Sequence, residues 1–343
     1  MLNPNIGGEC RSCVSGDFKR LVSEYQRAVI EALVLMQRSG IQMPNSAYGW
    51  VYAEIPMSGE LDGGGHYFKH GLGCEVRCSG KSVDFDFGKN GEVGGFDAWW
   101  LAKFAGENLG GYGFDNFAML DEYVNLLIST GELTQTLDGL CFFSGAESLY
   151  AVDVDGRKPG DNLPLKDKDP ILVLHAQQFQ AADLMRKSYE KIIEKLKKRD
   201  RLSLNDKISA GIYLSTWLGF LRVTCEGFFT LKIRKLLQEE RPGEFIEIVA
   251  QHDVVLKLEK QHRDALRDFR NNTFHPQRDI RVKREFFDSE KGRIPWAHEL
   301  HNEVAQFFSS YRIQCEAHYF VQGRLSELDI RRNRVQRRKR SVS

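Results

Sequence analysis

The chain has 343 residues, 42% of them hydrophobic and 28% charged, an ordinary composition for a soluble globular protein and enough length for two domains with separate cores. No run of about 18 apolar residues occurs, which excludes a helical membrane span, and the first residues lack the charged-then-apolar order of a signal peptide. Seven cysteines, scattered from Cys10 to Cys315, make a poor disulfide framework and suit a reducing cytoplasm.

The net charge of +1 hides a division. Up to residue 155 there are 10 Lys and Arg against 21 Asp and Glu, with 23 of the 31 glycines; the remainder holds 38 basic against 26 acidic residues. Two compositions predict two domains: a small α+β domain over 1–152, a linker over 153–170, a four-helix bundle over 171–325 and a basic, disordered tail over 326–343. The linker reading rests on three prolines and the absence of any period.

In chain order, Asp17 to Met36 has helical spacing with Asp17 as its cap, and Gly49 to Ile55 reads as a strand. Cys74 to Cys78 and Ser82 to Phe87 alternate with period two around a turn, which predicts a hairpin. Phe96–Phe104 and Asp115–Ser129 read as helices and Leu137–Phe143 as a closing strand. Beyond the linker four helical patterns span Ile171–Arg199, Leu204–Glu240, Glu244–Phe274 and Trp296–Gln322. Leu214, Leu218, Leu221, Cys225 and Phe228 mark the second stripe, and Trp296, Leu300, Val304, Phe307, Tyr311 and Cys315 the fourth. A helical bundle is the economical way to bury such stripes.

His66, His70, Cys74 and Cys78 lie four apart, but a strand separates residues four apart by about 13 Å, too far for one zinc ion. His252, His262, His298 and His301 read as ordinary face residues, and no carboxylate or cysteine completes a metal spacing around His298 and His301. Gly63-Gly-Gly65 is followed by no Lys-Ser/Thr, so it is not a phosphate loop. Neither a metal nor a cofactor is expected. Asp84, Asp86 and Asp97 could face a basic partner, though a solvated strand face and a helix cap account for them more simply.

The third helix ends in His262-Arg-Asp-Ala-Leu-Arg-Asp-Phe-Arg270-Asn-Asn-Thr-Phe-His275-Pro276. Arg263, Arg267 and Arg270 share a face by spacing, and Pro276 places His275 at or past the helix end. A guanidinium can clamp a phosphate by two hydrogen bonds, and an imidazole can take a proton from a ribose 2′-hydroxyl or give one to the leaving 5′-oxygen. Glu226, the lone acid in an apolar stretch of the second helix, either orients Arg270 or His275 or is a rim carboxylate paired with any nearby arginine.

In this setting Arg270, Asn271 and His275 match the signature of the HEPN superfamily, and residues 170–325 resemble it. The resemblance implies a helical bundle, usually a homodimer with two motifs at its interface. It also implies a metal-independent endoribonuclease of the toxin–antitoxin or phage-defence type, or else a module that only binds RNA, nucleotide or protein. Arg270 and His275 would be catalytic; Asn271, Arg263, Arg267 and Glu226 would hold substrate. The partners implied are RNA and an antitoxin or toxin protein, with no membrane. Some toxin members carry a tyrosine two positions after the histidine, a place held here by Gln277. The N-terminal half, with His70-Gly-Leu-Gly-Cys74, Val83-Asp-Phe-Asp-Phe-Gly88 and Gly95-Phe-Asp-Ala-Trp-Trp100, loosely resembles an uncharacterised bacterial domain found near polymorphic-toxin and immunity genes, which implies a sensing or interaction role.

Overall fold

The computed structural model describes residues 10–78, 81–275 and 279–329, with the backbone alone for 10–15 and 280. Pro276, Gln277 and the tail from residue 330 lie outside the described residues, as do the side chains of Cys10 and Cys13. The chain divides into two compact units, residues 1–158 with 319–343, and residues 159–318.

The first unit is built on helix α1 (Cys10–Arg38). Phe18, Leu21, Val22, Tyr25, Val29, Leu33 and Met36 recur at steps of three or four and are all fully buried. Asp17 lies inside this helix, paired with Arg20, rather than capping it. The helix stops at Gly40 (φ +89°), whose N–H donates to Gln37 while that of Ile41 donates to Met36, a Schellman closure that needs a left-handed residue.

The expected strand near Gly49 is instead a short helix, α2 (Ala47–Val51). Ser46 caps it by accepting from the Gly49 N–H, and the buried Trp50 donates its indole N–H to the Gly73 carbonyl at 2.7 Å. Local capping and one buried indole outweigh the strand propensity of the aromatic run.

A four-stranded antiparallel sheet follows in the order β1 (Ser58–Glu60), β2 (His66–His70), β3 (Gly73–Cys78), β4 (Lys81–Asp86). The β3–β4 pair is the hairpin expected from the alternation; β1 and β2 gave no such signal among the surrounding glycines. Tyr67, Cys74, Val76, Val83 and Phe85 form the buried face, in one core with α1. His66 and His70 pair with Arg77 and Gly73 and so share the opposite face from Cys74, which is why the four-residue spacing assembles no metal set. Gly73 is required where it stands: a Cβ there would meet the Phe85 carbonyl oxygen at 1.9 Å.

Strand β5 (Glu92–Val93) precedes α3 (Ala98–Ala105), capped by Asp97, and α4 (Phe117–Ser129), capped by Asn116. The closing strand is shorter than expected. It is β7 (Cys141–Phe143), paired with β6 (Leu133–Gln135), while β8 (Leu149–Tyr150) pairs with β5.

The stretch read as a linker carries buried anchors between exposed residues. In the second unit Leu163 and Asp169 are fully buried. Asp169 caps α5 (Pro170–Leu174) and accepts from Tyr311 Oη at 2.6 Å and from Arg241. The four long helical patterns are present but broken differently. A π-turn at His175–Phe179 separates α5 from α6 (Gln180–Arg199), and α7 (Leu204–Thr230) stops ten residues before Glu240. The left-handed Lys232 (φ +51°) ends that helix and starts α8 (Ile233–Lys235). Helix α9 (Val249–Phe274) kinks at His262, α10 (Ile280–Phe286) is an element the pattern did not predict, and α11 is Arg293–Val321. The tail begins with ordered chain: Leu325–Glu327 forms a 3₁₀ turn and Leu328 is buried.

Candidate nucleic-acid interface

Helices α7 and α9 pack side by side in the second unit, and each carries an i, i+4 ion pair facing the other. On α7 these are Arg222 and Glu226; on α9, Glu259 and Arg263. The pairs interlock. Arg222 Nη1 donates to Glu259 Oε1 at 2.6 Å, Arg263 Nε donates to Glu259 Oε2 at 2.6 Å, and Arg270 Nη2 lies 2.7 Å from both oxygens of Glu226. Arg222 Nε comes within 3.3 Å of Glu226 without hydrogen-bond alignment.

Three guanidiniums therefore share two carboxylates, leaving one positive charge in excess. Glu259 is 0% exposed and Arg222 only 7%, so much of this charge sits where water screens it poorly. The Nε atoms of both Arg222 and Arg270 are buried without an acceptor among the described residues. Excess positive charge with unspent N–H donors is the electrostatic requirement for holding an anion, and planar forks favour a phosphate.

The cluster's floor is apolar. Cys225 is fully buried beneath it, and burial pushes its thiol well above the usual range, so it is packing material and not a nucleophile. Arg263 lies over the ring of Phe229, 4.4 Å from its centroid.

Of the residues expected at the site, Arg270, Arg263 and Glu226 come together. Arg267 does not join them: it is exposed and bonded to its neighbours Asp264 and Asp268. Helix α9 is kinked at His262, just before Arg263. Leu258, four residues before His262, gives its carbonyl to the indole N–H of Trp296 at 2.8 Å, and the His262 ring stands edge-on to Trp296. Asn271 is half-buried, whereas Asn272 is the buried amide, donating to the Asp279 carbonyl at 3.0 Å and bracing the chain that follows. His275 caps the helix in an extended conformation (φ −107°, ψ 156°), its N–H on the Asn271 carbonyl and its side chain exposed. Phe274 before it packs on Gly219, where a Cβ would lie 2.0 Å from the ring.

Arg222 and Glu259 complete the cluster and were not among the residues expected from the sequence. The i, i+4 pairing of each with a named residue was the available signal. His252 and His301 are buried instead of lying on open faces. Trp217 Nε1 donates to His301 Nδ1 at 3.1 Å, fixing the tautomer that points Nε2–H at Asp183. Burial pushes the His301 imidazole down to about 4. Among the described residues no group of three His, Cys, Asp or Glu could hold a metal ion.

The first unit has its own polar cluster. Asp84, 8% exposed, meets His70 Nε2 at 2.6 Å and Lys103 Nζ at 2.5 Å, and His70 stacks on Trp100. These partners hold the Asp84 carboxyl below its usual range in spite of burial, while desolvation raises Asp86 and Asp97. Asp84 is thus a bridged internal acid and Asp97 a cap, and neither lies on an open acidic face.

Residues 18–147 match the model of one family, described as a domain of unknown function (DUF6896). That match falls in the first unit and carries no activity with it. No curated protein and no solved structure matches the chain.

Proposed function

We propose that the second unit is a HEPN-like module acting on RNA, a metal-independent endoribonuclease of a bacterial toxin–antitoxin or phage-defence system. The observation that carries the reading is the Arg270–Glu226 pair within a cluster one positive charge in excess, with His275 five residues on at the helix end. Arg270, turned outward from Glu226 onto a phosphodiester, neutralises charge building on its non-bridging oxygens. The 2′-hydroxyl oxygen attacks the adjacent phosphorus and the P–O5′ bond breaks, giving a 2′,3′-cyclic phosphate and a free 5′-hydroxyl. His275 takes the 2′-hydroxyl proton or supplies the one that the 5′-oxygen needs, a contribution of about 10²- to 10⁴-fold. Asn271 positions the strand. The resemblance extends the reading to a cytoplasmic homodimer, and to an antitoxin or toxin protein as partner.

The test is incubation of the full chain with RNA in EDTA. The expected products are fragments ending in 2′,3′-cyclic phosphate, lost in His275→Ala while the fold, read by circular dichroism, persists. Cleavage unchanged in that variant overturns the assignment. A second reading, RNA binding without cleavage, is favoured by the exposure of the His275 side chain. It predicts salt-sensitive binding with intact RNA recovered.

A further inference from the structure

We infer that the cleft lined by Phe229, Lys232 and Lys235, joined to the arginine cluster through Arg263 stacked on the Phe229 ring, holds a nucleotide flanking the phosphodiester at Arg270, so that single-stranded RNA enters along the C-terminal end of α7. The inference rests on reading the cluster as an RNA site. It adds where the rest of the strand lies.

Phe229 lies one turn beyond Glu226 on α7, about 4.5 Å along the axis, and Lys232 follows just past the helix end, so the cleft begins one turn from Arg270's partner. The cleft there has a volume of about 380 Å³, inside the range of about 300–1,000 Å³ typical of small-ligand sites. One wall is Phe229, which is 40% exposed with Arg263 stacked on it, and a base can pack against either the ring or the guanidinium plane. The other wall carries Lys232, Arg234 and Lys235. Arg234 is bonded to Asp253 at 3.0 Å, whereas the Lys235 ammonium is 3.6 Å from Glu239, the one carboxylate among the described residues that line the cleft. Lys232 is held at φ +51°, ψ +46°, a conformation that a lysine keeps only where its surroundings fix it, and it is an exposed residue of the lining. Aromatic surface beside two exposed ammonium groups is the pattern of sequence-tolerant single-strand binding: stacking for the base, point charges for the phosphates.

The experiment compares the full chain with Lys232→Asn/Lys235→Gln, in which Asn tolerates the left-handed backbone, and with Arg270→Ala. Binding is measured by fluorescence anisotropy with two uncleavable probes, a 2′-O-methyl oligoribonucleotide and a 2′-O-methyl dinucleotide, across a salt series. The lysine variant should bind the oligomer about tenfold more weakly, with a salt slope shallower by about 1.4 because two phosphates are no longer neutralised, and should bind the dinucleotide as the wild type does. Arg270→Ala should weaken both probes. An unchanged oligomer affinity and slope in the lysine variant, with Arg270→Ala still defective, overturns the cleft and leaves the cluster reading standing. No binding of either probe by the wild type overturns both.

Discussion

At the scale of single residues, Glu259 holds the cluster together. It is wholly buried and bonded to two guanidiniums, so Glu259→Gln leaves Arg222 with a poor partner in a water-poor site. The expected cost is about 3–5 kcal/mol, read from hydrogen exchange of the α7 amides, which report opening of the second unit. Glu226 is different, because it is partly exposed, and on the proposed RNA reading it competes with the phosphodiester for Arg270. Glu226→Gln should tighten binding of uncleavable RNA and steepen its salt dependence, while slowing cleavage because Arg270 loses its anchor; weaker binding would contradict competition. His301 gives a pH dependence. Its folded-state value near 4 lies below the unfolded one near 6.5, so the unfolded chain binds the proton first. Its contribution is whole above about pH 6.5 and lost as the pH falls through about 4, some 3 kcal/mol in all. His301→Gln, which can still accept from Trp217 and donate to Asp183, should flatten the stability profile over that window.

At the scale of elements, α7 and α9 determine where the motif sits. Gly219 admits the Phe274 ring against α7, which fixes the last turn of α9 and therefore the start point of His275. Gly219→Ala should cost about 1–3 kcal/mol by overpacking, and Gly219→Ala/Phe274→Ala should recover most of it. A strictly additive pair would show that the contact does not set the turn. Apolar periodicity made these helices legible, but not their breaks. The break between α7 and α8 at Lys232 carries no glycine or proline, and the kink at His262 arises where an indole from α11 takes a carbonyl of α9. Both depend on neighbours distant in sequence, which no local pattern encodes.

At the scale of the whole molecule, the first unit is made from two stretches of chain. Tyr319, Arg324 and Leu328 are buried, Arg324 bonded to Glu327 and stacked on Tyr319. A chain stopped after His318 loses this burial, of which each large apolar side chain is worth about 1.5–3 kcal/mol. Hydrogen exchange in α1 should accelerate while that in α7 stays as it was. Equal acceleration in both would show that the C-terminal segment does not serve the first unit alone.

The sequence by itself determined the two compositions, the amphipathic stripes of α1, α7, α9 and α11, the β3–β4 hairpin, and the placing of His275 at a helix end. Each of these follows from short-range periodicity or from the fixed geometry of proline. Tertiary structure decided the rest. The stretch before α5 is anchored at its end because Asp169 finds Tyr311 and Arg241 far along the chain. Arg263 and Arg270 face inward while Arg267 stays in solvent, because two carboxylates on packed helices, 33 positions apart, offer places for three guanidiniums and no fourth. The Arg270–His275 motif thus gains a charge balance that belongs to the packing of α7 against α9.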